Sequence, residues 1–166
     1  MVVRPVLRYP AAVLKQPAGP VGGVSEEVRA LGRDLVDTMR TGPATVGLAA
    51  PQIGAPVRAF ALDVTGHPKA TSSNGLVLLF DPELLETESE VMAREGCLSV
   101  PDLTADVRRA RRIVVAGLDE EGRRRVLSME GFEARAALHE LDHLDGILIL
   151  DRADSPSALF PRRVYL

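Results

Sequence analysis

The chain has no tryptophan, a single cysteine, and aromatic residues at only 4% of its 166 positions. One cysteine excludes an intrachain disulfide, so the Cys97 thiol is a small buried hydrophobe, a nucleophile or a metal ligand. Long apolar runs are missing as well: the longest lie at residues 76–80 and 147–150, far short of the roughly 18 residues that suggest a membrane-spanning helix. Near the N-terminus Arg4, Arg8 and Lys15 are interspersed with Pro5, Pro10, Pro17 and Pro20, which leaves no uninterrupted apolar core for a secretory signal. A cytoplasmic location with no membrane partner is the expectation. Nor does one sign of charge dominate, since 20 basic residues stand against 23 acidic ones for a net charge of −3; a dedicated nucleic-acid binder is usually strongly basic.

Lysine is confined to Lys15 and Lys69, so arginine carries almost all the positive charge. Arg108, Arg109, Arg111 and Arg112, followed by Arg123, Arg124 and Arg125, flank two apolar runs joined by Asp119-Glu120-Glu121-Gly122. That pattern is a β-hairpin whose arginines decorate its solvated ends and face. Direct nucleic-acid binding is not expected there, because no aromatic platform accompanies the arginines.

Length and an apolar fraction of 46% suit one domain, taken as a single catalytic unit over residues 1–166. Ser25 as N-cap, Glu26 and Glu27 in the first turn, Val28, Leu31, Leu35 and Met39 at helical spacing and Gly42-Pro43 as a stop predict a first helix. Residues 57–64, 75–80, 84–92, 112–118 and 123–129 read as strands, and residues 65–75 as a surface loop. A second helix is expected over residues 132–144, closed by Gly146 and followed by a short strand at residues 147–150. Strands grouped between helices, without a βαβ rhythm, predict an α+β fold of mostly antiparallel strands around a central C-terminal helix.

That helix bears His139-Glu140-Leu141-Asp142-His143. Residues four apart lie one turn above each other, so both imidazoles can reach one metal ion, with Glu140 beside it as a general base for the attacking water. Cys97, in Glu95-Gly96-Cys97-Leu98-Ser99, is the candidate third ligand. A lone cysteine is more often inert core, but Gly96 before it, with freedom for an unusual backbone angle, and Ser99-Val100-Pro101 after it read as a shaped loop. Two imidazoles and one thiolate leave a fourth position open, the mark of a catalytic site. A third segment, Val46-Gly47-Leu48-Ala49-Ala50-Pro51-Gln52, is either a simple turn or a place of close backbone approach that presents the Gln52 amide.

Taken together and in this order, Gly47-Leu48-Ala49-Ala50-Pro51-Gln52, Glu95-Gly96-Cys97-Leu98-Ser99 and His139-Glu140-Leu141-Asp142-His143-Leu144 resemble the three motifs of the peptide deformylase family. The resemblance implies a metal-dependent hydrolase that removes the formyl group from formylmethionine at the start of nascent polypeptides, met at the ribosome. It implies Cys97, His139 and His143 as ligands of one divalent metal, ferrous iron in most members, with Zn2+, Ni2+ and Co2+ suited to the same donors. Glu140 would be the acid/base, and Gln52 with the Leu98 backbone amide would stabilise the oxyanion. Thr45, Val46, Gly47, Glu95, Gly96 and Leu138 would form the substrate groove. Two positions depart from the family: Thr45 stands where a glycine is usual and Leu138 where a glutamine is usual. A different metal-dependent amidase or peptidase, or a divergent deformylase-like protein with altered substrate or low turnover, is the alternative.

Overall fold

The computed structural model describes residues 2–162. Helix α1 (Glu26–Thr41) starts where expected, with the Ser25 hydroxyl accepting from the Val28 amide at 3.3 Å. Strands β1 (Gly47–Ala49), β2 (Ala59–Leu62), β3 (Val77–Glu88), β6 (Arg112–Leu118) and β7 (Arg124–Glu130) form an antiparallel sheet in the order β1-β2-β3-β6-β7. A second antiparallel sheet has the order β4-β5-β8, from β4 (Val91–Cys97), β5 (Val100–Arg109) and β8 (Leu159–Pro161). Helix α2 (Gly131–Leu144) lies between the sheets, and one further turn, α3 (Ile149–Arg152), follows it.

Alternation along the strands explains the layering. On β2, Phe60 and Leu62 join the core formed with α2, whereas Ala59 and Ala61 face Leu35, Val36 and Met39 of α1. Both faces of β2 are therefore covered, which is why it reads as an unbroken apolar run. A smaller core beneath the second sheet gathers Ala105, Val107, Leu148 and Ile149. The α+β arrangement around a central helix is the one expected, and no helix among the described residues is long and apolar enough to cross a membrane.

Several local expectations need correction. The segments 75–80 and 84–92 are not two strands: β3 runs through Asp81-Pro82 with irregular register at Phe80/Glu83 and Leu84/Glu86, and the chain reverses at Ser89, whose φ is 58°. Residues 147–150 do not form a strand, because the Asp151 carboxylate accepts from the Leu148 amide at 2.8 Å and starts the α3 turn there. Strands β1, β5 and β8, and β4 beyond residue 92, are not among the expected strands. On β5 the inward positions are Ala105, Val107 and Arg109, so its alternation ends in a charged residue. Arg109 is accordingly not on the solvated face of a hairpin; it is 5% exposed.

Candidate active site

Helix α2 carries His139 and His143 one turn apart, their rings 4.9 Å from centroid to centroid. Cys97 is the last residue of β4, at the point where pairing with β5 slips between Gly96 and Cys97 and the chain turns at Leu98 and Ser99. It thus ends a strand, where a shaped loop was expected. Its Sγ lies 3.4 Å from His143 Nε2, and the donor atoms of Cys97, His139 and His143 all fall within 4.8 Å of one another.

A dense set of ion pairs lies behind these donors. Glu95 Oε1 accepts from His139 Nδ1 at 2.9 Å and from Arg109 Nη2 at 3.0 Å, while its Oε2 accepts from Arg109 Nε at 2.9 Å and Arg135 Nη1 at 2.6 Å. Asp142 takes Arg109 on one side, at 2.5 Å, and Arg152 on the other, at 2.6 Å. Burial pushes the Glu95 carboxyl up, but hydrogen bonds from His139 and Arg109 and the Arg109 charge outweigh it and bring the pKa to about 2. An ionised Glu95 engages His139 Nδ1 and so fixes the ring with Nε2 on the side of Cys97. Burial also lowers the pKa of His139, yet hydrogen bonds to Cys97 and Glu95 more than reverse this and hold it well above the usual value. His143 is shifted the other way, chiefly by burial and then by the charges of His139 and Arg109, so it remains a neutral donor. One sulfur and two imidazole nitrogens converging in this way suit a divalent cation.

Gln52 is fixed at both ends of its amide. Its Oε1 accepts from the Ala49 amide at 3.0 Å and its Nε2 donates to Ser99 Oγ at 3.1 Å, while Ser99 Oγ donates to the Leu7 carbonyl at 2.7 Å. One Nε2 hydrogen is thereby spent, and the second is left on the side of Cys97, whose Sγ is 3.9 Å away. Gly47 has a steric reason. A Cβ there would stand 2.6 Å from Glu140 Oε1, so only glycine lets β1 pass this close to the carboxylate. Glu140 Oε2 is buried without a hydrogen-bond partner among the described residues, as is Thr45 Oγ1. Burial raises the Glu140 pKa to about 7; the nearby His139 and Arg109 charges pull it down and Glu95 pushes it up.

These residues surround a groove of about 530 Å³. Thr45, Val46, Gly47, Gln52, Glu95, Gly96, Cys97, Leu98, His139 and Glu140 all line it, and His143 lies beneath it at 1% exposure. Leu138 does not. It packs at the edge of the main core and lines a separate depression with Arg109 and Leu141, because it projects from another face of α2. Nor does Thr45 take the strained backbone that a glycine position suggests: the left-handed residue in this segment is Ala44, with φ 59°. Gly96 is likewise not at positive φ; a Cβ on it would collide with the Arg162 guanidinium. Sequence reasoning missed the partners of Glu95. Its burial two residues before Cys97 required cations, but the arginine-rich sequence does not say which ones. It also missed His67 and Lys69, from the surface loop, and Phe132, Arg94 and Arg162, all of which line the groove.

A helix-borne His-Glu-x-x-His beside a thiol, enclosed by two antiparallel sheets, defines a metal-dependent hydrolase. The family model described as polypeptide deformylase matches residues 3–158. The chain is 40% identical over 151 residues to the peptide deformylase of Aquifex aeolicus, covering 91% of this chain and 88% of that protein. It is 36% identical over 152 residues to that of Thermodesulfovibrio yellowstonii, covering 92% and 90%. Among solved structures, a peptide deformylase from Legionella pneumophila superposes with a TM-score of 0.85 at 34% identity, covering 95% of this chain and 89% of that one. One from Thermotoga maritima gives 0.83 at 34%, covering 93% and 100%. The chain belongs to the polypeptide deformylase family, metal-dependent hydrolases that remove the formyl group from N-terminal formylmethionine.

Proposed function

We propose that residues 1–166 act as one catalytic domain in the cytoplasm, deformylating nascent chains at the ribosome, with Cys97, His139 and His143 holding one ferrous ion. The observation that carries this reading is the convergence of the three donor atoms within 4.8 Å at the base of a groove that also presents Glu140 and Gln52. The same donors suit zinc, nickel and cobalt, and availability decides among them. The chemistry a bound ion supplies is Lewis acidity toward the formyl carbonyl and toward water.

The chain's own groups account for the remaining steps. Val46, Phe132 and Ala136 offer apolar surface in the groove for an unbranched side chain such as that of methionine. Glu140, with a pKa near 7 and a free Oε2, takes a proton from the attacking water. As the water oxygen bonds to the formyl carbon, negative charge develops on the formyl oxygen. The Nε2 hydrogen of Gln52 that faces the Cys97 Sγ turns to it, and the Leu98 amide donates beside it, with Gln52 held in place by the Ala49–Gln52–Ser99–Leu7 chain. Glu140 then passes its proton to the departing nitrogen as the carbon–nitrogen bond breaks, leaving formate and a free amino terminus.

The test is formate release from a formylmethionyl peptide, with iron under anaerobic conditions and metal content measured in parallel. Formate and free amine in equal amounts are expected. Metal binding without formate would indicate a non-catalytic relative, and cleavage of an internal peptide bond would indicate a peptidase.

A further inference from the structure

The groove is ringed by more positive charge than the proposed chemistry uses. Four cationic side chains line it, Lys69, Arg94, Arg135 and Arg162. Two are committed elsewhere. Arg135 is buried and donates to Glu95, Val91 and Val107, and Arg94 pairs with Asp106 at 2.8 Å while lying 3.4 Å over the Phe160 ring. Lys69 and Arg162 meet no carboxylate within 4.0 Å among the described residues. Among the described residues, the acidic side chains lining the groove are Glu95, whose oxygens are saturated by His139, Arg109 and Arg135, and Glu140, assigned to proton transfer. A chain with a net charge of −3 thus presents a locally cationic groove.

Arg162 is the better placed of these two. Its backbone amide donates to the Asp102 carbonyl at 2.9 Å, directly after β8 pairs with β5, so the strand aims the side chain back across the second sheet. Its guanidinium rests on Gly96, the residue before Cys97, in space that any Cβ at Gly96 would occupy. An extended peptide advances about 3.3 Å per residue, so a substrate chain that leaves the reacting carbon along Gly96 would meet the guanidinium within its first two or so residues. Guanidinium pairs with carboxylate through two parallel hydrogen bonds, which no neutral group matches.

We propose that Arg162 selects substrates bearing a carboxylate just beyond the formylated residue. This deepens the deformylase reading and rests on it. The carboxylate comes from an acidic side chain or from the C-terminus of a short formylated peptide, and the two sources can be separated experimentally.

Three peptides serve: formyl-Met-Ala-Ala amide, the same peptide with a free C-terminal acid, and formyl-Met-Asp-Ala amide. At low salt kcat/KM should be about 3- to 5-fold higher for a carboxylate peptide than for the neutral one, the size of an exposed ion pair, and the difference should sit in KM. Preference for the acid alone assigns the C-terminal source, and preference for the aspartyl peptide alone assigns the side chain; either supports the proposal. The ratio should fall toward one in Arg162→Ala, persist in part in Arg162→Lys, reverse in Arg162→Glu, and collapse for the wild type in about 1 M salt, where the Debye length is about 3 Å. Because it is a ratio, a change common to all three peptides cancels. Turnover of the neutral peptide without any carboxylate preference, or a preference that survives Arg162→Ala, overturns the role of Arg162 and leaves the deformylase reading standing. Failure to release formate from all three peptides overturns both.

Discussion

Two regions on either side of α2 treat their polar atoms in opposite ways. Behind the donors, Glu95 and Asp142 are both buried and share Arg109, with Arg135 and Arg152 filling the remaining acceptor positions. Facing the groove, Glu140 Oε2 and Thr45 Oγ1 are buried and find no hydrogen-bond partner among the described residues, and His143 Nδ1 beneath it finds none either. A saturated network fixes geometry, because moving one member strands several others. Orphaned buried atoms cost stability, and natural proteins keep few of them without a reason. The comparison separates a scaffold, which holds His139 at a set angle, from a working surface that leaves hydrogen-bonding capacity for a substrate.

The most severe break is at the boundary between the two regions. Cys97→Ala leaves two imidazoles and no other thiol in the chain, so most bound metal and essentially all formate release should be lost, as read by elemental analysis and assay. Full metal occupancy in that variant would remove Cys97 from the site. On the working surface, Glu140→Gln should lower kcat by at least about 100-fold with metal retained. It should also hold or raise the melting temperature, since an unpaired buried carboxyl is replaced by a neutral amide. Loss of stability together with activity would make Glu140 structural.

The scaffold should fail differently. Arg109→Met strips one partner each from Glu95 and Asp142. A broken buried pair costs about 3–5 kcal/mol, but Arg135 and Arg152 remain, so about 2–3 kcal/mol in urea unfolding is expected. Metal affinity should fall by about 10-fold as His139 loses its orientation. The mildest change is Leu138→Gln, which restores the residue usual in the family. Because Leu138 lies outside the groove, activity should shift by about twofold or less, with about 1 kcal/mol lost from its core contacts. A tenfold change in activity would tie that face of α2 to the groove.

The legible parts were those whose chemistry repeats at short range. The α1 caps and the His-Glu-x-x-His spacing follow from helical geometry alone, and the three motifs together pointed to the family. What stayed hidden depends on contacts between distant segments. Arg109 looks like one arginine of a solvated cluster until β5 turns it inward toward Glu95. Leu138 is adjacent to His139 in sequence, yet about 100° of helical rotation separates consecutive side chains and sends it to another face. Arg162 is far from Gly96 along the chain and reaches it only because β8 pairs with β5. Even the misread strand at residues 147–150 turned on one local bond, from the Leu148 amide to Asp151.

The placement of the donors on separate layers has a consequence for how the molecule unfolds. Cys97 ends a strand of the smaller sheet, whereas His139 and His143 ride on the helix that packs against the larger one. An ion held by all three would fasten one layer to the other and close a loop between Cys97 and His143, which are 46 positions apart. In a chain with no second cysteine, it does the work of a disulfide, removing loop-closure entropy from the unfolded ensemble. Resistance to heat should then track the concentration of free metal, gaining about 2.7 kcal/mol at a hundredfold excess over Kd, and amide exchange in β4 and α2 should slow together as the ion binds.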